Sequence, residues 1–220
     1  MRTLSSLTPA VICLATLGLY QSDAAQNAER AAPAAEQKKE PAPVPVPIEE
    51  GKVALTPKNT MIQFVGAHMG PKPDPRTGYF ANFKGQMAVN ESASAPQAVL
   101  LEIDTASLVT PIGRLTGHLQ SPDFFDVRRY PKATFQSTKI EGASAAGGKC
   151  QITGDLTIRD VTKSITFPAT VQVTDEGLVL TSKFHIKRLD FGMDFGPDRV
   201  VNEVAMTVVV GKATPEVTPQ

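Results

Sequence analysis

From about residue 60 to the C-terminus, apolar and polar side chains alternate with a period of two in one run after another, which is the pattern of half-buried β-strands. Thr60 to Ala67 places Ile62 and Phe64 opposite Gln63, and Gly78 to Asn90 sets Phe83, Met87 and Val89 against Asn82, Lys84 and Gln86. Gln97 to Ser107 opposes Val99, Leu101 and Ile103 to Glu102 and Asp104. Ala133 to Ile140 is the fourth run, and the Gly-rich stretch at 142 to 148 turns the chain into a fifth, Cys150 to Arg159, with Ile152, Leu156 and Ile158 inward. Lys163 to Val173 follows, and Asp175-Glu176-Gly177 forms a tight turn into Leu178 to Lys187, with Leu180, Phe184 and Ile186 on one face. Val201 to Gly211 closes the series with Val204, Met206, Val208 and Val210. Such a series predicts an all-β fold, an eight-stranded antiparallel β-barrel, because closure removes the edges an open sheet would expose. An eight-stranded interior is either filled by side chains or holds one small ligand, and the alternation fits both.

The pattern breaks once, over Gly113 to Pro131. Two short helical turns are expected there, at 113–120 and 122–126, the second started by Ser121 before Pro122. They form a short helical segment closing one end of the barrel, with Leu115, Leu119, Phe124 and Phe125 facing in.

Two segments precede the barrel. Arg2 followed by the uncharged apolar run Leu7 to Tyr20 and the small residues Ala24 and Ala25 reads as a signal peptide over 1–25, with a retained N-terminal anchor as the alternative. The run is shorter than the roughly 20 apolar residues a membrane helix needs, so no membrane span is expected after cleavage, and the location is periplasmic or secreted. Residues 26–57 are rich in Ala, Pro, Glu and Lys, with PAPVPVP at 41–47, and are expected to be a disordered linker. The barrel domain then covers 58–213 and a C-terminal tail 214–220.

Charge and chemistry narrow the function by exclusion. The chain balances 22 Lys and Arg against 22 Asp and Glu, which supplies no basic surface for nucleic acid. His68, His118 and His185 are not spaced as local metal ligands; the acidic loop at 188–196 does not have calcium-loop spacing. No G-x-S-x-G, H-E-x-x-H or phosphate-binding glycine loop occurs. No metal, cofactor or catalytic residue is therefore expected. A polar cluster of His118 with Asp123 and Asp126 is the one arrangement an enzyme could use as acid or base. After cleavage Cys150 is the sole cysteine, on an inward position where a thiol acts as a small apolar group.

Several stretches carry a resemblance. Gly117-His118-Leu119-Gln120-Ser121-Pro122-Asp123-Phe124-Phe125-Asp126-Val127, continuing through Tyr130-Pro131-Lys132-Ala133-Thr134-Phe135, resembles the signature of the YceI-like family. Leu101-Glu102-Ile103-Asp104, Gly154-Asp155-Leu156-Thr157-Ile158 and Asp190-Phe191-Gly192-Met193 follow in the same order, so the resemblance spans about 60 to 211. It implies a lipocalin-like barrel with an elongated hydrophobic cavity in exported proteins, some of which bind a polyisoprenoid chain. The partner so implied is an apolar small molecule, an isoprenoid or quinone-like lipid, held for carriage or sequestration. The apolar positions expected to touch it are Phe64, Phe83, Leu101, Leu119, Phe124, Phe125, Phe135, Phe167, Phe184, Phe191, Met193 and Met206. A homodimer is compatible with this reading. The alternative is a stress-response or protein-interaction module with a packed barrel and no ligand.

Overall fold

The computed structural model describes residues 42–70, 74–90, 95–142, 148–218 and 220. The expected signal peptide and most of the expected linker lie outside the described residues. Among the described residues eleven strands form one sheet: β1 (Lys52–Leu55), β2 (Thr60–His68), β3 (Asp74–Phe80), β4 (Phe83–Val89), β5 (Pro96–Asp104), β6 (Leu108–Val109), β7 (Lys132–Glu141), β8 (Gly148–Ile158), β9 (Val161–Thr174), β10 (Gly177–Lys187) and β11 (Glu203–Val210), with one α-helix, α1 (Gly113–Gln120), between β6 and β7. The pairing order is β1-β4-β5-β7-β8-β9-β10-β11-β2-β3-β6, antiparallel throughout.

Eleven strands replace the eight expected, and the pairing explains the difference. β1 runs into β2 through one turn, and β3 runs into β4 across Ala81 and Asn82; each pair is one long ribbon broken once. The two ribbons form a single hairpin, in which Leu55 faces Gly85 and Gln63 faces Tyr79. Its β4 half pairs with β5 and its β2 half with β11, so the two ends of the order belong to the same hairpin and the sheet curls round on itself. The two-residue β6 adds the last strand, where the chain leaves the wall for α1. The lipocalin-like all-β class stands.

Two local expectations are corrected. The second helical turn, at 122–126, does not form: Ser121 terminates α1, its N–H donating to His118 O. Residues 122–125 are hydrogen-bonded turns instead, with Phe124 N donating to Ser121 O and Asp126, at φ 46, donating to the same carbonyl. The expectation of a disordered linker is corrected over its described part, 42–57, which packs on the barrel. Val46 exchanges two backbone hydrogen bonds with Leu178, and Val44 N donates to Gly211 O. Alternating prolines allow this: they remove every second N–H and leave those of Val44 and Val46 free to pair at a sheet margin. Glu50 and Gly51, both at positive φ, then turn the chain into β1, which buries Val53 and Leu55. Gly177 receives this strap at such close range that a Cβ there would lie 2.1 Å from Val46 O.

Burial along single strands divides the barrel in two. On β11 the inward Val210 is 2% exposed, while Val208, Met206 and Val204 keep accessible surface. On β9 Val171, Ala169 and Phe167 are buried and Ile165 is not; on β10 Leu178 and Leu180 are buried and Phe184 is not. The end covered by the N-terminal strap is solid, with Val46, Val53, Leu55, Met87, Ile152, Val171 and Leu178 in one cluster. The opposite end, under α1, is hollow.

Candidate functional site

The hollow end encloses a cavity of about 190 Å³. Its floor is aromatic. Phe167 stacks on Phe184 at 4.3 Å and 13°, and Phe135 leans on Phe167 at 5.5 Å, so the rings separate the space from the solid half. Gly154 makes room for this layer, since a Cβ there would fall 2.5 Å from the Phe135 ring. Ile62 and Phe64 of β2, Leu101 and Ile103 of β5, Leu156 and Ile158 of β8, Ile165 of β9 and Val204, Met206 and Val208 of β11 form the walls. Leu115 and Leu119 of α1, with Phe124 and Phe125 behind it, form the roof.

Ten of the twelve apolar positions singled out from sequence line this cavity: Phe64, Leu101, Leu119, Phe124, Phe125, Phe135, Phe167, Phe184, Met193 and Met206. Phe83 and Phe191 do not. Phe83 follows the break between β3 and β4 and packs within the wall, and the 3-10 turn at Arg188–Phe191 folds Phe191 under the loop, where it is almost fully buried. Strand parity identified the inward side but not the height along the barrel, so it could not find Ile62, Ile103, Ile158 or Val208 as lining residues among equally inward neighbours.

Polar groups meet the cavity at its mouth only. Among the described residues those lining it are His68, Arg76, His118 and Arg188, and no Asp or Glu lines it. Arg188, 2% exposed, donates from Nε to Val201 O (3.2 Å), from Nη1 to Met193 O (2.5 Å) and from Nη2 to Val200 O (2.9 Å) and Gly196 O (3.4 Å). Burial pulls this guanidinium below its usual value, opposed by the nearby Asp194 charge. Four carbonyls of the single 193–201 loop thus converge on one fork, which fixes that loop, with Met193 and Phe195, against the mouth.

His118 Nε2 lies 2.9 Å from Asp123 Oδ2, and its ring is flanked edge-on by Phe124 at 5.1 Å and Phe195 at 4.7 Å. Asp126 does not complete the expected cluster; its carbonyl accepts from Arg129 and Tyr130 N–H instead. Phe195 both lines the cavity and is 38% exposed, which locates the opening. His185 points outward and is exposed. Cys150 is buried in the solid half, where burial pushes its thiol up. Among the described residues no group of His, Cys, Asp and Glu could hold a metal ion, and no helix is long and apolar enough to cross a membrane.

A curled antiparallel barrel, solid at one end and opening through a basic rim into an apolar chamber at the other, defines a lipocalin-like fold with an internal hydrophobic cavity. The YceI-like domain matches residues 54–211, and the chain belongs to that family. Among its relatives, UPF0312 protein VPA0850 of Vibrio parahaemolyticus is 39% identical over 92 residues, 42% of this chain and 48% of that protein. Protein YceI of Escherichia coli O157:H7 is 34% identical over 128 residues, 54% of this chain and 65% of its own length. The alignments therefore span about half to two thirds of these relatives. Among solved structures, Burkholderia cenocepacia BcnA superposes with a TM-score of 0.60 at 28% identity, over 69% of this chain and 94% of BcnA. A polyisoprenoid binding domain from Saccharophagus degradans shares the fold at a TM-score of 0.58 and 17% identity, over 75% of this chain and 99% of that domain.

Proposed function

We propose that this protein binds an elongated apolar molecule, of isoprenoid or quinone-like type, in the chamber under α1, and carries or sequesters it in the periplasm or outside the cell. The observation that carries the reading is the cavity itself: an aromatic floor, aliphatic walls and polar groups confined to the mouth. Burying a hydrocarbon there gains about 0.8 kcal/mol for each methylene-sized group, so a few isoprene units bind without any polar contact along the chain. The ten lining residues predicted from sequence form the contact wall in this reading. Met193 and Met206 adapt to a flexible chain more readily than branched residues do. Membership of the YceI-like family and the polyisoprenoid binding described for the Saccharophagus neighbour support the ligand class. The leader pattern over residues 1–25 supports export.

The test is to compare uptake of a polyprenyl alcohol by the wild type and by Val208→Phe, which places a ring in the chamber. The expected result is one ligand per wild-type chain and strongly reduced uptake by a variant whose circular dichroism is unchanged. Equal uptake by a folded Val208→Phe would place the ligand elsewhere and overturn the reading.

A further inference from the structure

The outer surface around the mouth differs from the rest of the molecule in two independent ways. It collects exposed apolar side chains. Of the six large hydrophobic residues that are exposed among the described residues, four stand there: Met69 just past β2, Ile112 at the start of α1, Leu189 in the 3-10 turn after β10 and Phe195 in the loop that follows. Met69, Ile112 and Leu189 neither line the chamber nor belong to either apolar cluster of the barrel. The same surface collects arginine. All seven arginines of the described residues lie at this end: Arg76 and Arg188 in the lining, Arg114 on α1, Arg128 and Arg129 in the turns after it, Arg159 in the β8–β9 turn, and Arg199, whose carbonyl accepts from Met69 N–H. The strap end carries lysine instead, at Lys52, Lys149 and Lys212.

Outside the lining both signs of charge are present. Asp74 pairs with Arg76, Asp123 with His118 and Asp198 with Arg199 at 4.0 Å, and Asp160, Asp190 and Asp194 are exposed beside them. Among the described residues none of Arg114, Arg128, Arg129 and Arg159 has a carboxylate within ion-pair distance; Arg129 and Arg159 lie over the Tyr130 ring at 5.2 and 5.7 Å. A surface so close to neutral does not fit an anionic polymer, which needs an excess of positive charge. Exposed apolar side chains set among guanidinium and carboxylate groups do fit the headgroup layer of a zwitterionic phospholipid bilayer. Guanidinium forks match lipid phosphates, carboxylates match the ammonium groups of phosphatidylethanolamine, and apolar side chains reach the boundary with the acyl chains.

We infer that the protein docks mouth-down on a zwitterionic phospholipid membrane, with Met69, Ile112, Leu189 and Phe195 at the acyl boundary and Arg114, Arg128, Arg129 and Arg159 on lipid phosphates. Docking depends on the outer surface of this end and holds whether or not the chamber takes a chain. Joined to the apolar-chain reading above, it lets a hydrocarbon pass between bilayer and chamber without crossing water.

The chain contains no tryptophan, so Leu189→Trp and Lys149→Trp each carry a single emitter, one at the mouth end and one on the exposed face of β8 at the strap end. Each full-length variant is titrated with vesicles of phosphatidylethanolamine and phosphatidylcholine. The expected result is a blue shift of the Leu189→Trp emission and none for Lys149→Trp, persisting in added salt because the docking surface is close to neutral. Adding Arg128→Gln and Arg129→Gln to Leu189→Trp is expected to raise the lipid concentration at half-shift severalfold, and adding Met69→Ser to raise it on the order of tenfold. None of these positions lines the chamber, so uptake of a polyprenyl alcohol is expected to stay unchanged, and failure of docking is thereby told apart from failure of the chamber reading. No shift in Leu189→Trp, or an equal shift in both variants, would overturn the assignment. A shift that appears on raising the protein concentration without vesicles would also overturn it and give the patch to a second copy of the chain.

Discussion

The two ends of this barrel are built from the same kinds of residue on the same strands, yet one is solid and the other hollow. The difference lies in what closes each end. At the solid end the strap at 42–55 inserts Val46, Val53 and Leu55 between the strand ends and fills the space with side chains. At the hollow end α1 and the turns after it lie across the mouth, and Leu115 and Leu119 roof a space that nothing fills. An end closed from within becomes core; an end closed from above becomes a chamber. Close packing and open space are thereby separated along the barrel axis.

That separation predicts a graded set of responses. Leu178→Ala, fully buried beside the strap, is expected to cost about 2–5 kcal/mol, because the surrounding strands cannot collapse onto the void. Chemical denaturation measures it, and a loss near zero would mean the solid end is not solid. Gly177→Ala comes next. Its Cβ would meet Val46 O at 2.1 Å with φ at +138°, so the strap must move, at about 1–3 kcal/mol. Limited proteolysis should then cut first near residues 42–50.

Met206→Ala, on the chamber wall, is expected to cost only about 1 kcal/mol, since it enlarges existing space, while it weakens binding of a long-chain ligand. A cost as large as that of Leu178→Ala would contradict the division. The smallest effect is expected on the outer wall, at neither end. Glu102 is held below the ordinary carboxylate range mainly by its hydrogen bond from Lys132, with Lys84 adding to it. Any stabilisation is therefore present above the unfolded carboxylate value and lost as pH falls through the lower folded value. Glu102→Gln should lower Tm slightly at pH 7 and progressively less as the pH is lowered through the acid range, and a series of thermal scans from pH 7 downward checks the sign.

The wall was legible in the sequence because a period of two depends on the backbone alone. Ile62 and Phe64 faced in as expected, Cys150 and Ile152 followed, and α1 appeared over the expected residues 113–120. The strap was not legible, because proline-rich composition and a solvated spacer look alike until a sheet margin is present to accept the free N–H groups of Val44 and Val46. The broken ribbons were also missed: Ala81 and Asn82 are both exposed, so the inward parity slips between Phe80 and Phe83, and a single strand drawn from Gly78 to Asn90 runs across that slip. Height along the barrel was the least accessible quantity. Val204, Met206, Val208 and Val210 form one uniform apolar run, and only the closure of the distant end decides that Val210 is core and the other three are chamber wall. The one-signed rim had the same cause, since Arg76, His118 and Arg188 come from separate stretches that only the curl of the sheet brings to one opening.

The most direct test of the chamber as a ligand site is to purify the protein without detergent, extract it with organic solvent and weigh what is released by mass spectrometry. The account predicts a single long-chain species in near-stoichiometric amount, absent from Val208→Phe prepared in parallel. An empty extract, together with no uptake of added polyprenyl lipid, would contradict it and make the chamber an unfilled gap in the packing.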